Sequence, residues 1–125
     1  MIPFVDSVVL IKAFTENPDK EKCREVLSEK FVTNSLCLVE AHNLISLISK
    51  SKIHATLSIR SLFKKDCIIV DLGKNLLFEA LKRSEKYQLD SFDLINYTTA
   101  LINNCSEIIS YDHDFNNLEL KRAEP

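Results

Sequence analysis

The sequence predicts an α/β fold, with a central parallel sheet of four to five strands covered by helices on both sides. Three observations predict it. Short apolar runs alternate with stretches of helical periodicity along the chain, the pattern of successive βα units. Residues 67–70, Cys-Ile-Ile-Val, are apolar without alternation, as expected of a strand buried on both faces. Acidic residues stand where strand-like runs end, Asp6 after the apolar residues 2–5 and Asp112 with Asp114 after the β-type run 107–111. In open parallel sheets, ligands bind beyond the carboxyl ends of the strands.

Residues 2–5 form the first strand, and residues 7–14 a helix capped near Asp6. Asn17-Pro18 opens a second helix, with Asn17 as N-cap and Pro18 at the first helical position, where its missing N–H costs nothing. It ends near residue 30, and residues 31–33 return as a strand. Asn34 or Ser35 caps a helix over residues 36–49, with Leu36, Val39, Leu44, Leu47 and Ile48 at roughly helical spacing. The next helix covers residues 52–65, with Ile53, Leu57, Leu62 and Phe63 as its apolar side. After the strand at 67–70 comes a helix over 71–87 with Leu76, Leu77, Ala80 and Leu81 inward. Asp90 or Ser91 caps a helix through residue 103, residues 107–111 form a strand, and residues 118–122 a last edge strand.

A chain of 125 residues suffices for one domain with a hydrophobic core, and residues 1–125 read as that domain. Lys and Arg number 16 against 18 Asp and Glu, a formal charge of −2, so composition does not make the whole chain a basic nucleic-acid binder. The charge is uneven, though. Residues 41–65 hold no acid, while Lys50, Lys52, Arg60, Lys64 and Lys65 are cationic, with His42 and His54 among them. This stretch is either an RNA-facing surface or an ordinary solvated helix face.

A lone glycine, Gly73, leaves no Gly-rich phosphate cradle, which excludes a P-loop or a dinucleotide fingerprint. Cys23, Cys37, Cys67 and Cys105 are dispersed, with no C-x-x-C pair, and read as buried or half-buried thiols of a reducing compartment. The start Met-Ile-Pro-Phe-Val-Asp carries no basic and then apolar leader, and no apolar run is long enough to span a bilayer. The expectation is a cytoplasmic protein that does not enter a membrane.

The acids carry the chemistry. Each has a purely structural alternative. Asp6 could cap the first helix, and Asp93 could stand in the first turn behind an Asp90 cap, where the helix dipole favours a carboxylate. Asp112 and Asp114 could be turn residues after a strand. Glu40, in Cys37-Leu38-Val39-Glu40-Ala41, caps nothing and has few polar neighbours. Carboxylates beside apolar core segments are costly unless compensated, and hard oxygen donors suit a divalent cation.

Four segments are informative together. They are Phe-Val-Asp-Ser-Val-Val-Leu at 4–10, Ser-Leu-Cys-Leu-Val-Glu-Ala at 35–41, Ser-Phe-Asp-Leu-Ile at 91–95 leading to Ala100, and Ser-Tyr-Asp-His-Asp-Phe at 110–115. In this order and spacing the chain resembles the PIN-domain family, especially the compact ribonuclease toxins of the VapC type, over nearly its whole length. The resemblance implies a three-layer α/β/α PIN-like domain and a metal-dependent endoribonuclease that serves as the toxin of a type II toxin–antitoxin pair. It implies Asp6, Glu40, Asp93 and Asp112 as the catalytic acids that bind Mg²⁺ or Mn²⁺, with Asp114 assisting. The hydroxyls of Ser7 and Ser110 would support the site. It also implies a homodimer, an RNA substrate and a cognate antitoxin. One position departs from the pattern. Two residues after the first acid the family commonly has Asn or Ser, and this chain has Val8, which keeps alive a catalytically inactive PIN-like RNA-binding or scaffold protein.

Acids gathered in one pocket repel one another, so at least one is expected to titrate above the ordinary carboxyl range. His42, His54 and His113 form no metal-spaced pair, and an extended segment would turn His113 away from its acidic neighbours. No serine has the flanking glycines of a nucleophile elbow, which argues against Ser/His/Asp hydrolysis. A phosphoryl-transfer receiver would want paired acids after the first strand, where this chain has Asp6-Ser7-Val8.

Overall fold

The structure, a computed structural model, describes residues 1–125. Its elements in chain order are β1 (Phe4–Val5), α1 (Ser7–Ala13), α2 (Lys20–Ser28), β2 (Phe31–Asn34), α3 (Ser35–Ser49) and α4 (Lys52–Leu62). Then follow β3 (Cys67–Val70), α5 (Lys74–Lys82), α6 (Ser91–Ile102), β4 (Ile108–Ile109), a 3-10 turn (His113–Phe115) and β5 (Arg122–Ala123). The strands form one sheet in the order β3-β2-β1-β4-β5, and every neighbouring pair is parallel.

Six helices flank the sheet in the α/β/α arrangement. α1 packs on α2 and α3, α3 on α4, and α5 on α6. The central strands bury Phe4, Val5, Phe31, Val32 and Ile108. Above them α6 is buried along Leu94–Ala100 without a break, so it runs through the interior rather than over the surface.

The topology sets the site. From β1 the chain steps to β2 and then outward to β3, and it returns to lay β4 against the other side of β1. The crossovers therefore diverge between β1 and β4, and the crevice at their carboxyl ends is the switch point of the sheet. Val5 pairs with Ile109, so the residues that follow, Asp6 and Ser110, leave the sheet side by side.

Several local expectations are corrected. Asn17 does not cap α2. Its Oδ1 accepts the Asp19 amide at 2.9 Å and its Nδ2 donates to the Lys12 and Thr15 carbonyls at 2.9 and 3.0 Å. Asn17-Pro18 is thus a turn locked onto the end of α1, and the helix starts at Lys20 behind Asp19. The run Cys67–Val70 is a strand, but it lies at the sheet edge and is only partly buried, with Ile68 41% exposed. Residues 71–73 are not helical, and α5 begins at Lys74.

The apolar residues read on three helices are only in part the buried ones. α3 buries Cys37, Leu38, Ala41 and Ile45, and leaves Val39, Leu44, Leu47 and Ile48 exposed. α4 buries Ala55, Ser58, Ile59 and Leu62 and exposes Ile53 and Leu57, and Phe63 just beyond its end is exposed too. α5 buries Leu76 and Ala80 but exposes Leu77 and Leu81. The cause is shared. These helices carry apolar residues on more than one stripe, and small residues (Ala41, Ala55, Ser58, Ala80) take the tight contacts that close helix packing requires.

All four cysteines are free, with Cys23, Cys37 and Cys105 buried and Cys67 partly so. No helix is long and apolar enough to cross a membrane.

Candidate metal centre

Asp6 is the residue at which β1 becomes α1. Its backbone is extended, and its Oδ1 caps α1 by accepting the Val8 amide at 2.9 Å. The second oxygen, Oδ2, accepts the Ser110 hydroxyl at 2.5 Å. Only 5% of the residue is exposed. Burial pushes its carboxyl above the ordinary value; the Ser110 and Val8 bonds pull it down and the Asp112 charge pushes it up. The cap uses one oxygen and the Ser110 bond the other, so capping α1 does not by itself exclude a further role for Asp6. Val8 contributes its main-chain N–H, while its side chain is 39% exposed.

Ser110 follows β4 and is fully buried. Its oxygen also accepts the Asp112 amide at 2.9 Å. Its carbonyl is held by the Arg122 guanidinium at 2.9 Å, and its own N–H donates to Ala123. Asp112 in turn caps the 3-10 turn, accepting the Asp114 amide at 2.9 Å. That turn replaces the extended segment expected here, and His113 is exposed with Nδ1 facing the Asn116 amide at 3.5 Å.

Asp93 is in the first turn of α6, and its amide donates to Oδ1 of Asp90, the cap residue, at 2.8 Å. Carboxylate oxygens of Asp93, Asp112 and Asp114 all lie within 4.8 Å of one another. Burial, then the charges of Asp112 and Asp90, then a hydrogen bond that only neutral Asp93 donates to Asp112, raise its carboxyl to about 7.

Glu40 lies on α3 and is half-buried. Burial raises its carboxyl first, followed by the charges of Asp6 and Asp90, and the Ser7 hydroxyl pulls the other way. The structure thus gathers Asp93, Asp112 and Asp114 most closely, sets Asp6 in the field of Asp112, and sets Glu40 in the field of Asp6 and Asp90. Sequence reasoning treated Asp90 only as a cap. Its charge acts on both Asp93 and Glu40, and the Asp90-x-x-Asp93 spacing, one helical turn, was the available signal.

None of Asp6, Glu40, Asp90, Asp93, Asp112 and Asp114 forms an ion pair; the protein's salt bridges all lie elsewhere. An all-carboxylate set with close oxygens and no neutralising cation fits Mg²⁺ or Mn²⁺, which take hard oxygen donors. The basic stretch is not part of it. His42 Nε2 meets Thr56 Oγ1 at 3.0 Å and His54 Nε2 meets the Phe14 carbonyl at 2.8 Å, so both histidines join neighbouring elements.

Fold and site define a class: parallel α/β/α domains with an acidic cluster at the switch point of the sheet. The family model of the PIN domain matches residues 4–121, and the chain belongs to that family. Among solved structures it is similar to the Mycobacterium tuberculosis toxin VapC20, described as a Sarcin-Ricin loop cleaving toxin, with a TM-score of 0.78 at 13% identity over 98% of this chain and 99% of that one. It is also similar to a chain of a toxin–antitoxin complex from Klebsiella pneumoniae, with a TM-score of 0.73 at 14% identity over 95% of this chain and 93% of that one. A third is VapBC2 from Rickettsia felis, bound to a DNA fragment from its promoter, at 0.67 and 19% identity over 99% and 98%. No significant match is found among curated proteins.

Proposed function

We propose that this chain, one domain over residues 1–125, is a metal-dependent endoribonuclease and the toxin half of a toxin–antitoxin pair acting in the cytoplasm. The observation that carries the reading is the set of carboxylates without cations, Asp93, Asp112 and Asp114 within 4.8 Å and Asp6 beside them through Ser110. Family membership supports it, as do the similar structures, which are toxins or toxin–antitoxin complexes. An antitoxin partner follows from the same likeness. A homodimer fits the apolar side chains exposed on α3 and α4, among them Val39, Leu47, Ile53 and Leu57.

Asp6, Glu40, Asp93 and Asp112 act as the catalytic acids, with Asp114 adding an oxygen at the rim. When bound, a divalent ion lowers the pKa of a coordinated water and offsets charge on the scissile phosphate. The chain's own part is to present ionised oxygens in a fixed place. Ser110 holds Asp6 and Asp112 in register, and Ser7 favours the charged form of Glu40. Asp93 must release its proton to join the donor set, so loading is coupled to proton release near neutral pH.

The deciding experiment incubates purified protein with labelled single-stranded RNA and Mn²⁺ or Mg²⁺, then with EDTA, beside Asp6→Asn. Cleavage that needs the ion and is lost in the variant is expected. Tight RNA binding without any cleavage selects the inactive scaffold that Val8 raises.

A further inference from the structure

We propose that Asn34 is a positioning residue for the acidic residues: one buried side chain caps α3, which carries Glu40, and bonds α6, which carries Asp93, and so holds those two helices in a fixed relation. The proposal rests on reading those acids as one site. Asn34 is fully buried at the end of β2. Its Oδ1 accepts the Cys37 amide at 2.8 Å, the N-cap bond of α3. Its Nδ2 donates to Asn96 Oδ1 at 2.9 Å and to Thr99 Oγ1 at 3.0 Å, both on α6.

Capping alone does not need asparagine, since Ser, Thr or Asp serves as well. Ser and Thr are too short to reach a second helix, and an ionised Asp has no proton to donate. Only the amide both accepts from one helix and donates twice to another. A neighbouring residue completes the device. The Thr33 hydroxyl, also fully buried, donates to the Val5 carbonyl at 2.9 Å, one residue before Asp6. Two consecutive side chains at the end of β2 therefore bond the elements that carry Asp6, Glu40 and Asp93.

The lever arms are short. Glu40 lies six residues along α3 from Asn34, about 9 Å at 1.5 Å per residue, and Asp93 lies one turn before Asn96. Buried polar networks of this kind hold a unique geometry only when every member is satisfied, and a Cys37 Sγ contact to Asn96 Oδ1 at 3.3 Å tightens it.

The test compares Asn34→Ser, Thr99→Val and Thr99→Ser with the wild type in two measurements. Calorimetry reads Mn²⁺ affinity at a temperature where each variant is folded, and NMR reads the metal-free amide shifts of Glu40 and Asp93. Asn34→Ser keeps a cap but loses the bond to α6, so Mn²⁺ binding weakens on the order of tenfold and both amides shift. Thr99→Val weakens binding in the same direction despite its matched volume, and Thr99→Ser, which keeps the hydroxyl, restores it. Unchanged Mn²⁺ affinity and unchanged amide shifts in variants that have merely lost stability overturn the proposal. A wild type that binds no Mn²⁺ sinks the metal reading instead, and the amide shifts still judge Asn34. Should Asn34→Ser not fold, the Thr99 pair decides.

Discussion

The Ser110 hydroxyl sits 2.5 Å from Oδ2 of Asp6 and at the same time receives the Asp112 amide at 2.9 Å. One oxygen thereby ties the acid after β1 to the acid after β4. Hydrogen bonds to charged groups contribute about 1.5–3 kcal/mol. Ser110→Ala is expected to destabilise the protein by that order, measured by urea denaturation. The sign of its pH dependence follows from the bond, which favours ionised Asp6. Its loss raises an already raised carboxyl further, so the destabilisation is larger at pH 8 than at pH 5.

Asp93 carries a destabilising charge in the metal-free protein. Its folded carboxyl stands at about 7 against an unfolded value of about 3.9. Between those values folded Asp93 binds more protons than unfolded Asp93, so its contribution to apo stability is fully present below the lower value and is lost as pH rises through the upper. Asp93→Asn should flatten that decline and leave the metal-free Tm at pH 7.5 unchanged or higher, by a few degrees at most because solvent screens the site. A clear drop in apo Tm would instead assign Asp93 to the structure of α6 alone.

Divalent ions should stabilise the wild type. At about 100 times Kd, Mn²⁺ adds about 2.7 kcal/mol to the unfolding free energy, visible as a Tm rise of several degrees. Asp112→Asn, which removes a donor from the trio, should abolish most of that rise. Affinity should also fall as pH drops below about 7, by up to about tenfold per unit for one released proton.

Thr98 is fully buried on α6, and its Oγ1 has no hydrogen-bond partner. An unmet buried hydroxyl is destabilising, and valine has nearly the same shape. Thr98→Val is expected to stabilise the protein by about 1 kcal/mol in thermal or urea unfolding, with Mn²⁺ affinity unaffected.

Ile53 and Leu57 on α4 are 76% and 61% exposed, so neither holds the monomer together. Ile53→Lys with Leu57→Lys should change monomer stability by no more than about 0.5 kcal/mol per site. Light scattering after size exclusion should show loss of the proposed dimer. An unchanged dimer would place self-association on another face.

Much of this molecule was legible in advance where local chemistry decides. Asn34, Ser51 and Asp90 each accept a first-turn amide, the behaviour their short polar side chains favour, so the starts of α3, α4 and α6 were readable, whereas those of α2 and α5, whose caps make no side-chain bond, were not. Helix faces were not. α3 is apolar on several sides, with Leu36, Leu38, Val39, Leu44, Leu47 and Ile48 in one helix, and periodicity alone cannot choose among overlapping stripes. The edge position of β3 was hidden for a related reason. An apolar run marks a strand but does not say how many neighbours the strand will have.

The sequence by itself determined the order of strands and helices and stationed acids at their junctions, because caps, turns and hydrophobic period act within a few residues. Only the tertiary structure put β4 beside β1, joining Ser110 to Asp6 across 104 positions, and let Asn34 reach α6. Strand order depends on how crossovers pack over the whole sheet, and backbone pairing leaves no mark in the pattern of side chains. The acids were visible one at a time; their shared field exists only once those distant ends meet.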